Sequence, residues 1–428
     1  MKLLKLAALF IAFGFISCED DDATIIINGN GGGNPATSAC VLSTNITADT
    51  TLDNTCIWQL DGRIVVESGA TLTIEPGTII KAFPGQQANS SVLIIARGGK
   101  IDAQGTASQP IIFTTTADNI ELGQTAGTNL DQNDAGEWGG LIVLGNAPIS
   151  VDGDATSKQI EGIPASDANG LFGGNDAADD SGTIRYVSIR HGGTLLGEGN
   201  EINGLTLGGV GNGTTIDHVE IVANLDDGIE FFGGSVNVSN LMVWAYGDDG
   251  IDIDEAYTGT ITNAVVVVGD SSDHSLEIDG PAGSLQGAFV LQDVTLIGQD
   301  DRTDRGEIAD FRDNAQGDIN NVYVTGYTGI GTDTTGATLQ VSDVELDADT
   351  VSANYTAGTL NFNNWVIDLP AGVATSAELF IDTSASGSSF EADAATFSSA
   401  ATMQAAGVGA DNSQLSWTYA NNKAGLGF

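Results

Sequence analysis

The sequence predicts an all-β fold, a parallel β-helix whose coils stack into a rod, and three observations carry that prediction. The first is a repeat of whole motifs. Asp226-Asp227-Gly228-Ile229-Glu230-Phe231 returns as Asp248-Asp249-Gly250-Ile251-Asp252-Ile253, an offset of 22 residues. A looser copy, Asp273-His274-Ser275-Leu276-Glu277-Ile278, follows 25 residues on, with a degenerate one at Gly306-Glu307-Ile308-Ala309-Asp310-Phe311 and an earlier one at Gly204-Leu205-Thr206-Leu207. The second observation is a companion segment on the same period: Ile216-Asp217-His218-Val219-Glu220-Ile221, then Val238-Ser239-Asn240-Leu241-Met242-Val243, then Ile261-Thr262-Asn263-Ala264-Val265-Val266, and later Ile319-Asn320-Asn321-Val322-Tyr323-Val324. The third is local. Short alternating runs such as Thr71-Leu72-Thr73-Ile74 are separated by Gly, Asn and Asp, and no segment keeps a helical period. Two or three short strands per 22–25 residues is the pattern of coils that hydrogen-bond to their neighbours. The composition agrees, with 57 Gly, 8 Pro and 41% hydrophobic residues among 428.

The elements follow in chain order. Residues 1–17 read as a signal peptide: Lys2 and Lys5, an apolar run Leu6–Ile16 too short to span a bilayer, then Ser17 before Cys18. The small residue before Cys18 resembles the bacterial lipobox, which implies lipidation of Cys18 and a lipid anchor in the outer membrane. Glu19-Asp20-Asp21-Asp22 resembles the acidic export signal of Bacteroidota lipoproteins, which implies exposure at the cell surface. Residues 18–39 as a whole form this acidic signal and a Gly/Asn-rich tether. Cys40 and Cys56 suit a disulfide in an oxidising compartment, worth roughly 3 kcal/mol by loop closure, or else two buried thiols.

Residues 40–330 are assigned to the β-helix, with Ile229, Phe231, Ile251 and Ile253 pointing inward. The slot of His218, Asn240, Asn263 and Asn321 reads as a ladder of stacked amides along one turn. Segments 115–135 and 152–181 interrupt the repeat and read as projecting loops; residues 331–428 are degenerate final coils or a cap over the open end.

The segments Gly69–Thr78, Ala96–Ile101, Gly136–Gly145 and Glu201–Val210 resemble those of right-handed, pectate-lyase-like β-helix lipoproteins of Bacteroidota. The resemblance spans about residues 55–325 and implies the fold and the surface address, with no activity attached.

The charge narrows function. With 57 Asp+Glu against 13 Lys+Arg, the net charge of −44 repels phosphate backbones and excludes nucleic acid as a partner. Part of that charge recurs in register: Thr206, Glu230, Asp252, Glu277 and Asp310 fall at one coil position and flank inward apolar residues. Stacked ~4.8 Å apart, bare carboxylates repel by several kcal/mol at an effective dielectric near 20. Asp226, Asp227, Asp248 and Asp249 lie three to four positions away, so a Ca²⁺ site at Asp226, Asp227, Glu230, Asp248, Asp249, Asp252 and Glu277 would relieve the repulsion. The plainer reading of Asp-Asp-Gly is turn chemistry, with Asp capping the turn and Gly taking φ > 0.

Three functions are expected, in order. The first is a non-catalytic, Ca²⁺-stabilised module that binds an extracellular glycan or a cell-surface protein, with Trp244, Tyr246 and Tyr257 as stacking surfaces. The second is a polysaccharide lyase or glycoside hydrolase using Arg190, His191, Asp227 and Asp249, which loosely resemble the Asp pairs and His-Gly of polygalacturonases without their Arg-Ile-Lys clamp. A lyase base could also come from Arg185, Arg302, Arg305 or Arg312. The third is a structural surface-layer protein. A Zn²⁺ site is not expected, because His191, His218 and His274 lack ligand spacing.

Overall fold

The computed structural model describes residues 40–86, 89–194, 202–299, 307–327, 342–405 and 407–428, with the backbone alone at 331–332 and 338–339. They belong to one compact unit, Ala39–Phe428. The segments expected to be a signal peptide, a lipidated Cys18, an acidic export signal at 19–22 and a tether lie outside the described residues, as do Arg302 and Arg305.

The chain is a parallel β-helix. One sheet steps through twelve strands from Cys40–Leu42 to Ser398–Ala400, and a second stacks ten from Arg63–Val66 to Phe380–Asp382. Eleven steps of ~4.8 Å make the stack about 53 Å tall. The 22-residue offset is the coil length: Ile229-Glu230-Phe231 pairs in parallel with Ile251-Asp252-Ile253, which pairs with Leu276-Glu277-Ile278. Alternation does the rest. Ile229, Phe231, Ile251 and Ile253 are at most 1% exposed and stack along the axis, each contributing about 1.5–3 kcal/mol by leaving water.

The amide ladder is present and has a geometric reason. Early coils use separate strands, Lys100–Gln104 and Ile111–Thr115, and the nine-residue strand Gly182–Arg190 pairs with both through its two halves. From there on the two are fused, and the chain bends at one left-handed residue per coil. Tyr186, His218, Asn240, Asn263, Asp293, Asn321 and Asn364 all have φ between 48 and 60°. Asn and Asp tolerate that region best, because their short polar side chains bond locally. Here they bond up the stack: Asn263 Nδ2 donates to Asn240 Oδ1 at 2.7 Å, and Asn364 Nδ2 to Asn321 Oδ1 at 2.9 Å. Tyr186 stacks on His218 at 4.2 Å.

The first described coils are cross-linked, and the C-terminal end is capped. Cys40 and Cys56 form the expected disulfide in the first coils. The β-helix continues past the expected boundary at 330: Leu360–Ile367 pairs with Gly317–Thr325 and then with Ser398–Ala400. The helix Phe390–Phe397 covers the last coil, packing Phe390 against Phe362 at 4.9 Å. Residues 331–428 therefore supply both final coils and a cap.

The final residues turn back along the outside of the rod. Gly409 N–H bonds the Asn321 carbonyl, Asp411 N–H bonds Asn263 Oδ1, and Ala420 N–H bonds Glu220 Oε1. The two interrupting segments do not project as expected. Segment 115–135 lies under this tail, where Leu130 accepts from Tyr419. Segment 152–181 forms a short hairpin, and its Ile160, Ile163 and Phe172 bury against Val92, Ile142 and Phe232 on the second sheet. Apolar anchors within otherwise polar loops pull both onto the coils.

Candidate functional site

The second sheet carries a strip of carboxylates on its outer face. Glu230, Asp252, Glu277, Asp310 and Glu345 pair in unbroken register through five coils. Three positions earlier runs a parallel column, because Gly204, Gly228 and Gly250 donate to the carbonyls of Asp227, Asp249 and His274. That column reads Asn203, Asp227, Asp249, His274. The strip faces outward as the alternation demands, yet it is largely covered: Asp227, Asp249, Glu230 and Glu277 are all buried.

Turn chemistry is real here, in a different form from the one expected. Asp227 Oδ1 accepts from Asp249 N–H at 2.9 Å, and Asp249 Oδ1 accepts from His274 N–H at 2.8 Å. Each carboxylate thus caps the turn of the next coil. The glycines have another reason, since neither Gly228 nor Gly250 has φ > 0. A Cβ at Gly228 would sit 2.3 Å from Val243 Cγ1, and one at Gly250 would sit 2.5 Å from Val266 Cγ1. Close packing, not backbone freedom, requires Gly.

The electrostatics follow from burial and like charge. Burial, then Asp252 and Asp226, push the Asp227 carboxyl well above its usual range. Burial and Asp252 do the same to Glu230. For Asp252, burial and the charges of Asp254 and Asp249 outweigh a hydrogen bond with Glu230. Higher up, burial and neighbouring acids raise Asp279, Asp310 and Asp343 to about 7. His274 is the exception. Burial opposes its charge, but Asp249, Asp273 and Asp310 win and hold it protonated to about 9.

Four groups along the strip bring ligand atoms within 4.8 Å of one another: Asp226/Asp227/Asp248, Asp227/Glu230/Asp252, Asp249/His274/Glu277 and Glu307/Asp343/Glu345. Ligands 2.3–2.6 Å from one ion stand at most about 5 Å apart, so each set could hold a cation. All seven residues expected to ligate fall in these groups. The Glu307/Asp343/Glu345 set was not foreseen. Its signal was there in Val344-Glu345-Leu346, the same apolar-acid-apolar triplet as Ile229-Glu230-Phe231, with the 22-residue period lost.

The catalytic candidates do not come together. Arg190 and His191 lie on the other sheet. Arg190 is buried, 4.4 Å from the Tyr419 ring, with Nη2 3.8 Å from Glu220 and Nη1 donating to the Thr125 carbonyl. Its side chain lies on the outer face of the sheet, where tail and loop cover it. His191 is buried against the Asp134 carbonyl, and burial lowers its pKa. Among the outlying arginines, Arg185 pairs with Asp217, and Arg312 reaches the strip, bonding Glu277 and Asp279.

The stacking surfaces expected at Trp244, Tyr246 and Tyr257 are not available to a sugar, because all three are buried. Trp244 faces outward but lies under Tyr419 of the tail. Ala245 then takes φ 58°, which breaks the alternation and turns Tyr246 into the core. Tyr257 packs on Phe231 at 4.5 Å and donates to the Val236 carbonyl.

Coils, parallel sheets and apolar ladders define a β-helix of the pectate-lyase-like class. The chain belongs to the pectate-lyase-like β-helix domain family, whose family model matches residues 44–421. No curated protein matches it, and no solved structure does.

Proposed function

We propose that the protein is an exported, lipid-anchored and non-catalytic binding module of the cell surface, whose acidic strip holds divalent cations and through them meets an extracellular glycan or a cell-surface partner. One observation carries the reading: carboxylates stacked in register through five coils. Ca²⁺ takes six to eight oxygens, and three or four from the strip leave positions for hydroxyls or carboxylates of a partner. This suits a strip that shows no exposed aromatic among the described residues. The anchor is Cys18 and the address is the acidic segment after it.

A polysaccharide lyase or glycoside hydrolase is the second reading, favoured by Arg312 within the strip. Arg190, buried against Glu220 on the other sheet, supports the binding reading instead. The test is a panel of polysaccharides with and without Ca²⁺. Ca²⁺-dependent retention without new reducing or unsaturated ends is expected; ends that accumulate with time would overturn the non-catalytic reading. Cys18→Ala should release the protein from the membrane fraction, and continued anchoring would refute the lipid anchor.

A further inference from the structure

The strip is not uniform, and its halves neutralise their charge differently. In the upper half the protein supplies its own cations. The His274 ring sits 2.8 Å from Asp249, 3.4 Å from Glu277 and 4.0 Å from Glu307. The Arg312 guanidinium bonds Glu277, and Asp279 at 3.1 and 3.2 Å. In the lower half, Asp227, Glu230 and Asp252 gather within 4.8 Å. Among the described residues, no Lys, Arg or His is ion-paired to any of these three.

A second feature of the lower half points to a ligand. Asn203 is 1% exposed, and its amide is turned onto this cluster, with Nδ2 donating to Glu230 Oε2. Its carbonyl Oδ1 is buried without a partner, and so is Asp252 Oδ1. Buried oxygens that accept nothing cost about 1–3 kcal/mol each. A cation would satisfy both and remove the repulsion among three carboxylates. Asp252 is partly exposed, and Asp248 is exposed at the rim, so the cluster opens to solvent on that side.

We propose that one hard divalent cation of Ca²⁺ size binds the lower half, held by Asp227, Glu230, Asp252 and the carbonyl oxygen of Asn203, while His274 and Arg312 fill the corresponding role above it. The donor set is all oxygen, three carboxylates and an amide, which selects Ca²⁺ over Zn²⁺. His274 occupies the column position that Asp holds in the two coils below. It therefore stops the site from repeating up the rod. This inference rests on the reading of the strip as a cation-binding surface and specifies where on it the ion sits.

The experiment is calorimetric titration of the full mature chain with CaCl₂ and, separately, MgCl₂ at pH 7.5. One Ca²⁺ per chain is expected, with Mg²⁺ weaker. Asp252→Asn and Glu230→Gln should each weaken Ca²⁺ at least tenfold, and Asn203→Ala severalfold. The isosteric amides relieve repulsion, so their melting temperatures in EDTA should equal or exceed wild type, which separates lost binding from lost folding. Replacing both of the upper half's own cations, His274→Asp together with Arg312→Gln, should raise the stoichiometry from one to two. Ca²⁺ binding untouched by the Asp252 and Glu230 variants would overturn the inference alone, as would a His274→Asp, Arg312→Gln double variant that still binds one ion or binds none. A wild-type chain that binds no Ca²⁺ at millimolar concentration would overturn the cation-strip reading as well.

Discussion

Single residues hold this stack together in two ways, and each can be tested. Gly228 and Gly250 let adjacent coils close on Val243 and Val266. Gly228→Ala should cost about 1–3 kcal/mol by overpacking, read as a lower melting temperature, with partial recovery in a Gly228→Ala, Val243→Ala double variant. An unchanged melting temperature would show that the seam between coils is looser than it looks. Asn263 is held at φ 60° and bonds both Asn240 and the tail. Asn263→Ala should be destabilised by about 1–2 kcal/mol, while Asn263→Gly, which keeps the backbone region, should lose less. Equal losses in the two variants would assign the whole effect to the amide bonds.

At the scale of elements, the tail and the loop at 115–135 decide what the outer face of the first sheet shows to solvent. Their least replaceable contact is the buried set Ser188, Arg190 and Glu220. Ser188 Oγ donates to Glu220 at 2.6 Å and Arg190 Nε donates to Ser188 Oγ at 2.7 Å, while Tyr419 covers the guanidinium. Glu220→Ala strands a buried Arg190 and should cost about 3–5 kcal/mol, measurable by denaturant unfolding. A loss under 1 kcal/mol would mean that the tail lifts and water reaches the arginine. These same elements mark where the sequence was hard to read. The 22-residue period made the coils legible from residue 204 to 325, and it placed the acidic column because alternation is strict within a strand. It was silent about Trp244 and Arg190. The repeat carries no sign of their cover, which comes from Tyr419, more than 170 positions away, and for Arg190 also from the loop at Thr125, both outside the repeat. Tyr246 departs from the alternation for a local reason: one left-handed Ala245 resets it, and Ala carries no signal for that conformation. Asn203 escaped notice because its meaning lies in a bond to the next coil.

For the whole molecule, the strip makes stability depend on pH. Burial raises Asp279, Asp310, Asp343 and Glu255 to about 7, Glu255 despite Lys158 Nζ at 2.5 Å. A carboxyl whose folded pKa lies above its unfolded value stabilises the fold most below the unfolded value, near 4, and that contribution is lost as pH rises through about 7. In EDTA the melting temperature should therefore fall by several degrees between pH 5 and pH 8. Added Ca²⁺ should raise the melting temperature at pH 8 and do little at pH 5, where protons already occupy the raised carboxyls of Asp227, Glu230 and Asp252. A melting temperature that rises over this range in EDTA would contradict the sign. Glu255→Gln should flatten the curve, since it removes one of the titrating groups.

The returning tail changes how such a rod can fail. In a plain stack each coil grips only its two neighbours, so a crack can open at any one seam for the loss of a single interface. Here the last stretch of chain is fastened at Asn321, Thr295, Asn263 and Glu220, which belong to four different coils. It acts as a splint. To part any seam between those coils, a sideways load must also peel the splint, and the middle of the rod becomes its stiffest portion although no coil there is individually stronger. The splint's bonds lie on these later coils, and in the first described coils the Cys40–Cys56 disulfide supplies a cross-link of its own.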